Sequence, residues 1–268
     1  MMYRLMKKAL MLLAAAVLLY GCGGDSIDPT PVTPPEEIDP TIYVGIGCAG
    51  IVKENAKTVD YFKKCIEDAG GQMVCFENYA TNDNKAKNDL KRVDALIIPG
   101  SSAADTTGRS NCDKRLIGAA VAAGKPVLGV CFGCQRICLM RGGELGTVIE
   151  DFPDSPYDHK AGGNVYPNHD ITIDETSTLY QILKVKTIGV NSSHKHYCKV
   201  IPAGIKVTAT APDGVVEAIE GSYPGDMLLG VQFHPEYLYA LLGHDEFLPI
   251  FEHLINQARE VKYAGKQQ

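Results

Sequence analysis

The chain has 268 residues, a net charge of -6 at pH 7, 45% apolar and 22% charged residues, and no tryptophan. Less any leader, that length suits one domain with a sizeable core, and the acidic balance gives no reason to expect a nucleic-acid partner. Nothing in the sequence repeats, which argues against solenoid and propeller architectures.

Residues 1–22 read as a leader rather than as part of the fold. Arg4, Lys7 and Lys8 make a basic start, and the apolar run Ala9–Tyr20 is too short to remain as a spanning helix, so secretion is expected. Leu19-Tyr20-Gly21-Cys22 resembles a bacterial lipobox, which implies cleavage before Cys22, lipidation of that cysteine and an exported, membrane-anchored protein. Tyr20 is bulky for such a motif, so a plain anchor or ordinary cleavage stays open. Residues 23–40 hold five prolines, several acids and few large apolar side chains, and read as an extended tether. In polyproline geometry it would reach on the order of 50 Å.

The folded domain is expected over 41–268. Ile42–Ile46 predicts a strand, Glu54–Ala69 an amphipathic helix ending at Gly70-Gly71, and Gln72–Phe76 a second strand. Asp83–Lys91 predicts a helix, Asp94–Ile98 a third strand, Pro99–Asn111 a loop, and Asp113–Ala123 a helix before the apolar run at Val127. Strands separated by helices imply a mostly parallel sheet with helices on both faces, an α/β fold whose sites form beyond the carboxyl ends of the strands. The second half changes character. Asn164–Ile173, Val185–Val190, Lys206–Thr210, Val215–Ile219 and Met227–Gln232 read as short strands added antiparallel, before a closing helix over Asp245–Tyr263 with Pro249 in its first turn.

Two stretches carry chemistry. Gly124–Gln135 (GKPVLGVCFGCQ) reads as strand, sharp turn and helix, with Cys131 at the apex and Gly129 and Gly133 keeping Cβ atoms clear of the crossing. The helix N-terminus there favours a thiolate, so the stretch reads as a nucleophile elbow; a buried core cysteine between two packing glycines is the alternative. About a hundred residues on, LLGVQFHPE ends a strand at His234, and Pro235 forces a turn that brings Glu236 beside the imidazole. A cysteine nucleophile needs a base, and the base needs a carboxylate to fix its tautomer.

Gly129, Cys131, Gly133 and Gln135 followed by His234 and Glu236 resemble the class I glutamine amidotransferase superfamily. Pro99-Gly100-Ser101, Gly142–Leu145, Val190–His194, Ala211–Gly214 and Glu217–Glu220 are similar to its gamma-glutamyl hydrolase branch, which includes gamma-glutamyl-gamma-aminobutyrate hydrolases, and the resemblance spans about Thr41–Val261. It implies a flavodoxin-like class I glutaminase fold and hydrolysis of gamma-glutamyl amide bonds in small molecules through a thioester. Cys131, His234 and Glu236 would be catalytic, with an oxyanion hole of backbone N–H groups at Phe132 and near Gly100 or Ser101. Gln135, Asn191, Ser192 and His194 match substrate-side positions, although capping and loop bonding explain them equally well. No cofactor is implied, and a homodimer is among the states it allows.

Phe132 stands where the family often has arginine, the loop after Pro99 looks short, and His196 stands where glutamine is usual. These positions border the pocket and put the leaving group in question. His194 and His196 form an HxH pair, but no further ligands are evident, so no metal is expected. Apart from Cys22 and Cys131, seven cysteines remain, an odd number that does not make a complete disulfide framework. Cys131 and Cys134 also form a CxxC, so a thiol oxidoreductase, or a regulatory bridge between them, is an alternative alongside a glutaminase subunit and a non-catalytic binding lipoprotein.

Overall fold

A computed structural model of the chain describes residues 39–47, 56–76, 80–101 and 107–264. The leader with Cys22, the tether up to residue 38, Cys48 and the expected helix start at Glu54 lie outside the described residues.

The strands are β1 (Tyr43–Gly47), β2 (Gln72–Phe76), β3 (Ala95–Ile98), β4 (Val127–Val130), β5 (Glu144–Thr147), β6 (His169–Ile173), β7 (Thr187–Val190), β8 (His196–Val200), β9 (Ile205–Thr210), β10 (Val216–Gly221) and β11 (Leu228–Val231). Nine of them form one sheet in the order β2-β1-β3-β4-β11-β10-β9-β6-β7. From β2 to β11 neighbouring strands are parallel, and from β10 outward they are antiparallel. The expected mixed α/β sheet is thus observed.

The helices are α1 (Ala56–Asp68), α2 (Asp83–Leu90), α3 (Thr107–Ala122), α4 (Phe132–Met140), α5 (Val148–Asp151), α6 (Thr178–Leu183), α7 (Pro235–Ala240) and α8 (Leu248–Ala264). Side chains alternate between the two faces of a strand, so a central strand with both faces covered must be apolar throughout. In β3, Ala95 and Ile97 join one core with Phe62 of α1 and Phe251 of α8, while Leu96 and Ile98 join the other with Leu116 and Ile117 of α3. Caps start two of the helices: the Asn82 side chain accepts from the Lys85 N–H at 2.9 Å and Ser177 from that of Tyr180 at 3.0 Å.

Several sequence expectations need correction. α3 begins at Thr107, inside the stretch read as a loop, because Arg109 and Asp113 pair one turn apart at 3.1 Å while almost wholly buried. A polar sequence shows no apolar period there, yet the buried ion pair demands helical spacing. Only His169–Ile173 of the expected long strand Asn164–Ile173 is extended, and residues 164–168 form the approach to it. β5 and β8 pair antiparallel as a separate two-stranded sheet that the local pattern did not announce. Pro235 does not end the strand: β11 stops at Val231, and Pro235 opens α7 as its first residue rather than forming a bare turn.

Candidate active site

Strand β4 runs into α4 through Cys131, whose φ of 52° and ψ of -103° place a non-glycine residue in the positive-φ region. Such a conformation costs about 1–3 kcal/mol and persists only where its surroundings fix it. Here the Cys131 N–H donates to the Val231 carbonyl at 2.8 Å and the Gln135 N–H donates to the Cys131 carbonyl. The flanking glycines are sterically required. A Cβ on Gly133 would fall 1.9 Å from the Ile98 carbonyl oxygen, and one on Gly129 would fall 2.5 Å from that of Gly133. Without side chains at those two points α4 can lie directly on β3 and β4.

His234 ends the neighbouring β11 segment, and Gly100 ends the β3 segment on the other side of β4. A Cβ added at Gly100 would lie 2.8 Å from His234 Cε1 and 3.5 Å from Cys131 Cβ, so the three residues meet at one point. His234 Nδ1 bonds Glu236 Oε1 at 2.8 Å, which leaves Nε2 for the thiol. Burial disfavours charge on this imidazole, but Glu236 and Cys131 outweigh it and hold His234 well above the usual imidazole range. Glu236 is fully buried above α1, where burial and then the Glu236 charge push the Cys65 thiol strongly upward and keep it neutral. Gln232 Nε2 lies 3.6 Å from Cys131 Sγ, and the Ser193 carbonyl is 3.9 Å from the same sulfur.

Phe132 is the first residue of α4, where N–H groups lack intrahelical acceptors. Arg109 donates to the carbonyl oxygens of Pro99 at 2.8 Å and Gly100 at 3.5 Å. In a planar trans peptide the N–H points opposite to the C=O, so Arg109 turns the N–H groups of Gly100 and Ser101 away from itself. Arg109 and Asp113 therefore hold the loop that carries two of the expected oxyanion donors. Sequence reading missed both, although a basic and an acidic residue four apart were there to be seen.

Cys131 is 5% exposed and opens into a pocket of about 900 Å³, lined among others by Ser101, Phe132, Gln135, Arg136, Lys160 and His196. The Arg136 guanidinium lies 4.1 Å over the Phe132 ring. A cation thus borders the pocket one helical turn from where the family often places arginine. Gln135 and His194 also line the pocket, but Gln135 Nε2 is bonded to the His196 carbonyl at 2.8 Å. Asn191 and Ser192 are fully buried behind the wall. Asn191 Oδ1 accepts from the His234 N–H at 2.9 Å, and its Nδ2 donates to the carbonyls of His234 at 3.2 Å and Gly163 at 2.6 Å. Asn191 therefore fixes the backbone of His234 rather than facing the pocket. Ser192 bonds His159.

The described cysteines are all free thiols. Cys134, one turn beyond Cys131, faces Gly230 and lies by Cys198 under the helix, whereas Cys131 faces Gln232 and the pocket. Of the HxH pair only His194 is buried, and its Nε2 lies 3.4 Å from Glu217 Oε1. Among the described residues no helix is long and apolar enough to cross a membrane.

A family model described as Peptidase C26 matches residues 46–236. The chain is 26% identical over 199 residues to the gamma-glutamyl-gamma-aminobutyrate hydrolase PuuD of Escherichia coli, covering 66% of this chain and 77% of that protein. It is 33% identical over 135 residues to protein NtpR of Enterococcus hirae, an alignment spanning 50% of this chain and 56% of the relative. Among solved structures, the glutaminase domain of Trypanosoma brucei CTPS with bound acivicin superposes with a TM-score of 0.59 at 18% identity, over 82% of this chain and 94% of that one.

Proposed function

Because the chain belongs to the Peptidase C26 family, we propose that it hydrolyses gamma-glutamyl amide bonds of small molecules, with Cys131 as nucleophile, His234 as proton carrier and Glu236 as its orienting group. The observation that carries this reading is the meeting of Cys131, His234 and Gly100 where Cys131 lines one pocket, with Glu236 on the far nitrogen of the imidazole. The relation to a gamma-glutamyl-gamma-aminobutyrate hydrolase supports the substrate class.

In this mechanism the Cys131 thiolate attacks the gamma-carbonyl carbon while His234 carries the thiol proton as imidazolium, which the buried Glu236 stabilises. The carbonyl oxygen becomes an oxyanion, met by the Phe132 N–H and by those of Gly100 or Ser101. Collapse breaks the C–N bond, and His234 passes its proton to the departing amine. Water then attacks the thioester, His234 takes its proton, and glutamate leaves as the thiol is restored. Arg136, Lys160 and Lys195 around the pocket suit the carboxylates of a gamma-glutamyl compound. The leader reading stands beside this as a second proposal: an exported enzyme lipidated at Cys22, for which Cys22→Ser should abolish acyl labelling and membrane recovery.

The test is glutamate release from a panel of gamma-glutamyl amides, dipeptides, folate polyglutamates and glutamine, with Cys131→Ala alongside. Release that disappears in the variant supports the hydrolase, and preference for glutamine alone would favour a glutaminase subunit. No release from any member would remove the hydrolytic reading in favour of a binding lipoprotein.

A further inference from the structure

At and behind the pocket wall, four residues from four separate segments converge: His194 in the wall itself, His159, His169 at the start of β6, and Glu217 on β10. Their side chains are 2%, 0%, 1% and 0% exposed. His159 Nδ1, His169 Nε2 and His194 Nε2 lie 3.5, 3.5 and 3.4 Å from one atom, Glu217 Oε1. The ligand atoms of His159, His169 and Glu217 are all within 4.8 Å of one another. Both Glu217 oxygens, His169 Nε2 and His194 Nε2 are buried without a hydrogen-bond partner.

The opposite nitrogens decide what those atoms are. His169 Nδ1 sits 3.2 Å from the Asp170 carbonyl and His194 Nδ1 3.1 Å from the His196 carbonyl. A carbonyl only accepts, so both Nδ1 atoms carry the hydrogen. His159 Nε2 lies 2.9 Å from the Asp213 carboxylate, which likewise accepts. When the rings are neutral, the second nitrogens of His169 and His194 aim lone pairs at the Glu217 carboxylate, and that of His159 does so beside the Ser192 hydroxyl 3.3 Å away. Lone pairs facing a buried carboxylate repel one another, and burying such groups unpaired is costly. A cation between them turns repulsion into ligation. An oxygen acceptor on the far nitrogen of each ring is the pattern that orients histidine ligands. A tetrahedral site with bonds of about 2.1 Å has edges of about 3.4 Å, close to the three that meet at Glu217 Oε1; His159, His169 and Glu217 already lie within one ion's reach, and His194 closes the site by a small shift toward it.

We infer that His159, His169, His194 and Glu217 bind one divalent zinc-type ion in a closed, tetrahedral structural site. Three imidazoles and one carboxylate suit zinc among the biological divalent metals, and four protein ligands leave no open position for chemistry. The ion's task is mechanical. It ties β6, β10 and the His159 loop to the 191–196 segment, which carries Asn191 against His234 and the Ser193 carbonyl beside Cys131. This inference does not depend on the gamma-glutamyl reading.

The experiment uses the purified full-length chain. Elemental analysis is expected to find about one zinc per chain, removable by chelator, and Co²⁺ added to the stripped protein should give the intense visible bands of a tetrahedral ion. Asp213→Asn, which alters only the second sphere, should weaken affinity about 10–100-fold. His169→Ala should abolish binding, and His196→Gln should leave it unchanged. A folded wild-type chain that takes up neither zinc nor Co²⁺ overturns the inference and leaves an ion network of protonated histidines. Metal retained undiminished in both Asp213→Asn and His169→Ala overturns it as well, by placing the ion elsewhere.

Discussion

Asn191→Ala is the most informative single change, because Asn191 touches neither the thiol nor the pocket and acts only through its three hydrogen bonds. The substitution removes the acceptor of the His234 N–H and the donor to the His234 and Gly163 carbonyls. Each lost bond is worth about 1 kcal/mol, and a backbone group left buried and unsatisfied adds about 1–3 kcal/mol. With partial relief from entering water, the expected loss is about 3–5 kcal/mol, or about 10 °C in Tm for a domain of this size. An imidazole released by about 1 Å costs on the order of a hundredfold in rate. Urea unfolding and glutamate release, the latter well below both unfolding transitions, measure the two effects separately. Asn191→Asp sharpens the test: it keeps the acceptor but sets a carboxylate oxygen against two carbonyls, so it should be at least as destabilising as alanine at neutral pH. Activity within threefold of wild type in Asn191→Ala, or a well-tolerated aspartate, would refute the clamp.

Glu236→Gln should lower kcat about 10³–10⁴-fold by losing the tautomer that keeps Nε2 toward Cys131, with little change in KM. The charge on His234 is favoured in the fold, so its contribution to stability is complete below a pH of about 6.5 and is lost as pH rises through the elevated native value. The urea midpoint of wild type should therefore fall on the alkaline side more steeply than that of His234→Gln; parallel curves would contradict the assignment. Gly133→Ala should prevent folding, since its Cβ meets the Ile98 backbone, whereas Gly118→Ala on the open face of α3 should raise Tm by about 1–4 °C. Soluble, active Gly133→Ala would show that the elbow is not packed as described. Arg109→Lys cannot span Asp113 and the Pro99 carbonyl together and should lower kcat about tenfold or more with KM held. An unchanged kcat with a lowered Tm would make Arg109 purely structural.

The sequence by itself determined what local sterics and short-range spacing control. Gly129 and Gly133 around Cys131 permit one strand-to-helix crossing, apolar runs bounded by glycine and proline make central strands, and Pro235 at the start of α7 holds Glu236 two residues from His234 with its carboxylate on the ring. Those constraints act within a few residues, so they were legible before any fold was known. The end of β8 and the start of β5 were not, because the partners in that pairing stand some fifty residues apart and neither strand alternates strongly by itself. Arg109 could not be assigned to the Pro99 loop, since a polar run reads as loop until tertiary burial forces its charges to pair. The HxH pair illustrates the same division: spacing put His194 beside His196, but the sheet sent His194 inward to Glu217, His159 and His169, and left His196 exposed. Spacing in the sequence only offers side chains to a shared face; the backbone path and the order and register of distant strands decide which of them meet.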